Sequence, residues 1–189
     1  MLYKLITTVF LTLCISLSSA SSLLQAKSGM DSITESVKAA KTAIDAYNGG
    51  IMGVVSVANA IFKIHESMQK SHAMCEQLEK YEEEEFEVMR ASFSELQPAV
   101  VDMLATVSKK VGPNYSTGMR SIADLFKAME MDNNVIQLGT AGMMNMFFQK
   151  SRAYQDMMIQ KMPKENLTAV QSQLSEMDDA FHRNIMALQ

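Results

Sequence analysis

The chain has 189 residues, of which 48% are hydrophobic, and a formal net charge of −4. This length is sufficient for one domain with a hydrophobic core, and the acidic balance argues against nucleic acid as a partner, because phosphates need a basic surface. The sequence contains no tryptophan, three prolines and eight glycines. So few turn-forming residues indicate an all-helical protein rather than an all-β one.

The first 20 residues have the pattern of a secretory signal peptide. Lys4 supplies a positive charge, residues 5–17 form an apolar run, and the small residues that end at Ala20 suit signal peptidase. The apolar run is too short to cross a bilayer, which takes about 20 residues. We therefore expect cleavage near Ala20 and a secreted, extracellular domain that comprises residues 21–189.

Two helices are predicted before residue 98. The first begins at a capping box, in which Ser32 is followed three residues later by Glu35, and it ends at the Asn-Gly-Gly sequence 48–50. The second covers about 50–97, because no proline interrupts it and apolar residues recur in a heptad register. Such a helix would be about 70 Å long, against about 40 Å for the diameter of a compact domain of this size.

The rest of the sequence predicts four shorter helices. The third begins with Pro98 in its first turn, and the fourth has an apolar stripe over 119–129. The fifth covers about 135–162, and the last begins near residue 165. The predicted fold is therefore all-α: one elongated bundle of about six helices, organised around the long helix over about 50–97.

One face of the predicted long helix carries side chains that bind metals in other proteins. His65, His72, Cys75 and Glu79 follow one another at spacings that stack side chains on a helix surface, and their groups are ligands for zinc or copper. The alternative is a solvated polar face, which the neighbouring run of glutamates over 82–85 favours. We predict no metal and no cofactor, and these four residues are weak candidates only.

Cys75 is the one cysteine that remains after cleavage, because Cys14 lies in the predicted signal peptide. A secreted domain with a single cysteine has no internal disulfide. Two interpretations stay open: a buried thiol, or an intermolecular disulfide in a homodimer that associates through the long helix.

Two sequons for N-glycosylation occur, at Asn114 and Asn166. Each lies close after a proline, in a predicted surface turn. Both are candidate glycosylation sites of a secreted glycoprotein, and in a eukaryotic source we expect at least Asn114 to be glycosylated.

Residues 46–62 and 133–149 form two stretches that contain no charged residue. They are interpreted as core segments that face each other, and the alternative is a membrane-inserting hairpin of the kind found in helical pore-forming proteins. The chain also has 18 methionines, whose flexible thioethers fill irregular cores or line cavities for apolar ligands.

No catalytic motif is present: the sequence has no glycine-rich phosphate loop, nucleophile elbow or zinc-protease helix. We therefore predict a secreted, non-enzymatic helical bundle that binds another protein or an apolar ligand. The second hypothesis is a membrane-active, pore-forming type of protein that uses the two uncharged stretches.

Overall fold

The structure is a computed structural model of the chain, and it describes residues 2–48, 51–76, 81, 83–111 and 139–188. These ranges contain five α-helices: α1 (Leu2–Ala46), α2 (Ile51–Glu76), α3 (Glu83–Val111), α4 (Gly139–Lys161) and α5 (Leu167–Leu188). A 3₁₀ turn, Lys164–Asn166, joins α4 to α5. The all-α prediction is confirmed, and the described residues include no strand.

The prediction of a single long helix over about 50–97 is wrong. The structure ends α2 at Glu76 and begins α3 at Glu83, and Tyr81 lies outside both helices. The backbone N–H of Tyr81 donates to the carbonyl oxygen of Lys161, at the end of α4, over 2.9 Å. Both helices bury apolar stripes of the same period, and for this reason the heptad register continues across a point at which the chain leaves the helix.

Pro98 lies inside α3 and does not begin a new helix as predicted. A proline in a helix lacks the N–H that would bind the carbonyl four residues earlier, here that of Ser94. Both residues are exposed, so water can solvate this carbonyl. The chain therefore tolerates proline at this position without ending the helix.

The predicted first helix is also longer than its capping box indicates, because α1 runs through Ser32 without interruption. The Ser32 hydroxyl points to α2, where it donates to Ser67 Oγ over 3.4 Å. Side-chain contact with a second helix has replaced the predicted cap. The helix predicted over 119–129 and the beginning of the one predicted over 135–162 lie outside the described residues.

The five helices form a closed ring. α1 contacts α2 on one side and α3 on the other, α3 contacts α5, α5 contacts α4, and α4 contacts α2. Among the described residues each helix thus has two helical neighbours, and none of them occupies the centre. One hydrophobic cluster receives buried side chains from all five helices, so the ring encloses a shared core.

Consecutive helices run in opposite directions, which gives the bundle two distinct ends. At one end the Lys110 ammonium donates to the carbonyl oxygens of Asp45 and Tyr47, over 2.8 and 3.1 Å. We call this the upper end; it consists of residues 40–48, 51–58, 104–111, 139–146 and 181–188. The lower end consists of residues 23–31, 69–76, 83–90, 154–162 and 164–174.

None of the described helices contains an apolar stretch long enough to cross a membrane.

Candidate ligand-binding core

Helix α1 contributes a continuous apolar stripe to the core. Its buried residues recur at alternating intervals of four and three, the period that keeps side chains on one face of a helix. These residues are Ala26, Met30, Ile33, Val37, Ala40 and Ile44. Because α1 lies between α2 and α3, this stripe forms one wall of the enclosed space.

Small residues allow α1 and α2 to approach closely. A Cβ atom added at Gly29 would lie 2.7 Å from Ser71 Oγ and 3.1 Å from the Ser71 Cα. About two turns further along α1, the hydroxyls of Ser36 and Ser67 share a hydrogen bond of 2.8 Å. No side chain larger than hydrogen fits at position 29 without movement of α2, so the sequence fixes the distance between these two helices.

A group of four polar side chains, which we call the hydroxyl cluster, lies in the core where α2 meets α4. It consists of Ser71, Cys75, Tyr81 and Tyr154, all of them buried. Tyr154 OH lies 2.8 Å from Ser71 Oγ and 3.7 Å from Cys75 Sγ, and Tyr81 OH donates to the sulfur of Met158 over 3.4 Å. Buried polar groups are stable only when they find such partners.

Burial keeps the hydroxyl cluster uncharged. It raises the pKa of the Cys75 thiol, and it raises the pKa of Tyr81 and of Tyr154 well above the ordinary value. Repulsion by a charged Cys75 makes a smaller contribution to the pKa of both tyrosines. The thiol and both phenols therefore keep their protons at neutral pH. A protonated, buried thiol is a poor nucleophile, so the cluster has no feature of a catalytic cysteine site.

An aromatic cluster connects α4 to α5 above the hydroxyl cluster. The Phe181 ring packs at 5.5 Å from Phe148 and 6.0 Å from Phe147, between ring centroids, and His182 meets the Phe148 ring edge-on at 4.8 Å. Phe181 and Phe148 are buried. Burial of such rings contributes the largest apolar area per side chain.

The outer side of the aromatic cluster carries an ion pair. Arg152 bonds Asp178 Oδ2 over 3.1 Å, and its guanidinium lies 5.8 Å from the centre of the Phe148 ring. The other oxygen, Asp178 Oδ1, is buried and has no hydrogen-bond partner among the described residues. The pair closes this side of the core with charged groups that lie partly in solvent.

Methionine is the most frequent large side chain in the core. The thioether is unbranched and polarizable, and it adapts to gaps of irregular shape. The buried methionines come from all five helices or their ends: Met30, Met68, Met89, Met103, Met158, Met162 and Met177. Flexible side chains of this kind fill the irregular space between the five helices.

The structure does not assemble the predicted metal candidates into a site. His72 Nδ1 lies 3.5 Å from Glu76 Oε1, while Cys75 points into the core and His65 is half-buried beside α4. Burial and the nearby Lys150 lower the pKa of His65. Within the described residues no three His, Cys, Asp or Glu side chains are grouped closely enough to hold a metal ion, and Glu79 lies outside them.

The other predicted positions are only partly described. Cys75 is a free and fully buried thiol, so an intermolecular disulfide would require the helices around it to open. Asn166 lies in the 3₁₀ turn, where its amide donates to Glu83 Oε1 over 3.1 Å. Asn114 lies outside the described residues. The disulfide, the dimer and both glycosylation sites stay predictions.

The described parts of the two uncharged stretches begin at the upper end, on α2 and α4, which contact each other. Each is divided between core and surface: Val57 and Phe148 are buried, whereas Met52 and Met146 are exposed. The interpretation as facing core segments therefore accounts for only one side of each helix.

Comparison with known proteins identifies the family. The model of the hydrophobic surface binding protein A family matches residues 23–127, which is more than half of the chain. The chain belongs to this family. The match begins three residues after the predicted cleavage site and covers α1 from Leu23 onward, α2 and α3.

Two solved structures have a similar fold. The crystal structure of Afmp4p in complex with palmitic acid superposes with a TM-score of 0.72 at 11% sequence identity, over 88% of this chain and 99% of that one. Ligand binding domain 1 of the Penicillium marneffei MP1 protein, complexed with arachidonic acids, gives a TM-score of 0.68 at 13% identity, over 86% and 95%. At such low identities the similarity shows a common fold. No curated protein matches the chain in sequence.

Sequence reasoning missed the ring closure and the hydroxyl cluster. The pairs that build them are far apart in the chain, since Ser71 and Tyr154 are separated by 83 residues. The one available signal was the polar composition of the heptad stripe near Cys75, which indicated that this part of the helix meets something other than an ordinary apolar core.

Proposed function

We propose that this protein binds a long-chain fatty acid, or an apolar ligand of similar shape, in the core that its five helices enclose. Family membership and the shared fold with two fatty-acid complexes support this proposal. The observation that supports the proposal most directly is the closed ring of described helices. These helices surround a common core that is filled by their side chains. Binding needs no reaction, and we infer a non-enzymatic role.

The composition of the core fits an alkyl chain. Buried methionines from several helices offer adaptable apolar contact, and the buried phenylalanines add rigid walls. Transfer of a ligand methylene from water into such surroundings is worth about 0.8 kcal/mol, so affinity is expected to increase with chain length. The uncharged hydroxyl cluster is the polar element inside this core, and its hydroxyls can donate to a ligand head group.

Secretion is part of the proposal. The family match begins just after the predicted signal peptide, which supports cleavage near Ala20 and an extracellular domain from residue 21. N-terminal sequencing of protein secreted by the producing cells tests this step. A mature chain that begins at residue 21 is the expected result, and retention of Met1 would contradict it.

Ligand binding is tested by filling the core. Leu104 is fully buried on α3, and its neighbour Ala105 is exposed. In Leu104→Trp the added ring takes up space in the core, so displacement of a fluorescent fatty acid by palmitic acid should weaken at least tenfold. Overpacking costs about 1–3 kcal/mol of stability, so retained helicity must be verified by circular dichroism. Ala105→Trp is the matched control and should bind normally. Equal affinities of folded Leu104→Trp and the parent would place the ligand elsewhere.

A further inference from the structure

The described residues of the upper and lower ends of the bundle carry opposite net charges. At the upper end Lys109, Lys110 and Arg183 add three positive charges, while Lys41 and Asp45 form an ion pair of 2.9 Å and cancel, which gives +3. At the lower end the four glutamates 83–85 and 87 exceed Arg90 by three, and the other described segments there cancel, which gives −3. The described helices therefore have a charge asymmetry along the bundle axis.

The same basic end exposes methionine side chains. Met52 on α2 is 80% exposed, Met186 on α5 is 71% exposed, and Met146 on α4 is 39% exposed. Met52 and Met186 lie within three residues of a helix end at the upper end, and Met146 lies about two turns from the beginning of α4. All three are therefore exposed in the upper part of the bundle. The uncharged beginnings of α2 and α4 lie beside them.

Exposed apolar side chains at the same end of a bundle as basic residues are the chemistry that recognises an anionic lipid surface. Apolar groups enter the boundary between head groups and acyl chains, and lysine and arginine are attracted by the negative surface potential. Lys109 and Arg183 are exposed and form no ion pair with another described residue, so their charge is available. The only carboxylate in the described upper-end residues is the paired Asp45.

We propose that the upper end docks on an anionic lipid membrane, with the bundle axis directed away from the bilayer and the three methionines in the head-group region. No described helix spans a membrane, so this contact is peripheral and reversible. The acidic lower end is repelled by the same surface, which fixes the orientation. This contact does not depend on a ligand in the core and goes beyond the proposed fatty-acid binding.

The contact is tested by sedimentation with vesicles. Vesicles that contain about one-third phosphatidylglycerol in phosphatidylcholine should retain the protein at low salt, and pure phosphatidylcholine vesicles should retain much less. Raising the salt from about 0.05 M to about 0.5 M should release it, because screening shortens the electrostatic range. Equal retention by neutral vesicles would contradict the role of charge.

Paired variants locate the contact. Lys109→Glu combined with Arg183→Glu should weaken retention at least tenfold, whereas Lys70→Glu combined with Lys164→Glu changes the net charge equally at the lower end and should have little effect. Similar losses in both double variants would show an attraction to net charge alone and overturn the docking surface.

The methionines are tested in the same way. Met52→Ser combined with Met186→Ser should weaken retention at least threefold, and Leu24→Ser combined with Val88→Ser, at exposed apolar positions away from the upper end, should not. Release of an entrapped dye at low protein concentration would indicate insertion in place of peripheral docking and would also overturn the proposal. Fatty-acid displacement measured on the same variants should be unchanged, so a failure here is distinguishable from a failure of the proposed function.

Discussion

The aromatic cluster between α4 and α5 and the hydroxyl cluster between α2 and α4 occupy one core but stabilise it differently. The first removes two phenylalanine rings, Phe148 and Phe181, from water. The second consists of groups that gain little from burial and must satisfy one another, as Ser71 and Tyr154 do over 2.8 Å. Most of the stability therefore comes from apolar burial, while the hydrogen bond between Ser71 and Tyr154 restricts how α2 and α4 can be placed.

The largest expected effect concerns the aromatic cluster. Phe181→Ala removes a fully buried ring that contacts both Phe147 and Phe148, and it should reduce the free energy of unfolding by about 3–5 kcal/mol. Urea unfolding followed by circular dichroism measures this loss. Arg183→Ala, at an exposed position two residues further on, is the control and should cost much less. A loss below about 1 kcal/mol for Phe181→Ala would mean that the ring is not in the core.

In the hydroxyl cluster we expect smaller losses in the free energy of unfolding, and these losses should not be additive. Tyr154→Phe leaves the buried Ser71 hydroxyl without its partner and should cost about 1–3 kcal/mol, and Ser71→Ala should cost a similar amount. The double variant should lose clearly less than the sum of the two, because both polar groups are removed together. The same unfolding measurement on all three variants completes the cycle. Strict additivity would show that the two hydroxyls are not coupled.

The smallest effect concerns the Cys75 thiol. Burial raises the pKa of this thiol in the folded protein above the ordinary value of 9.0. As the pH rises above that value, the unfolded chain therefore loses the proton before the folded protein does. The contribution of the thiol to stability is fully present below pH 9.0 and decreases above it. The unfolding temperature should therefore decline above about pH 9. At neutral pH the thiol should react with a thiol reagent only on unfolding. Rapid labelling of the native protein, or a dimer that reductant dissociates on a gel, would contradict the buried, free thiol and support the intermolecular disulfide.

The two clusters also differ in how far the sequence predicts them. The spacing of apolar residues in the last predicted helix places Val170, Met177 and Phe181 on one face, and all three are buried. This prediction succeeded because the period of a helix is a local property that can be read from the spacing of apolar residues. The meeting of Ser71 with Tyr154 depends on the path of the whole chain, which no local pattern contains.

The prediction of one long helix was wrong for a related reason. The heptad pattern recorded which residues of α2 and α3 face the core, but it carries no information about where the chain leaves one helix and begins the next. At the break, the backbone N–H of Tyr81 donates to the carbonyl oxygen of Lys161, 80 residues away, a contact that no local pattern contains. Without that break the ring of five helices could not close. The candidate binding core could therefore not be predicted from the sequence, although a role in binding an apolar ligand could.

Native mass spectrometry of the refolded, lipid-free protein mixed with palmitic acid is the most direct test of the central claim. We expect a complex at micromolar concentration whose mass exceeds that of the free protein by a whole number of bound palmitic acids. A folded Leu104→Trp variant should lose this complex, and Ala105→Trp should retain it. Absence of any complex with the parent protein, under conditions that preserve its helical fold, would contradict ligand binding in the enclosed core.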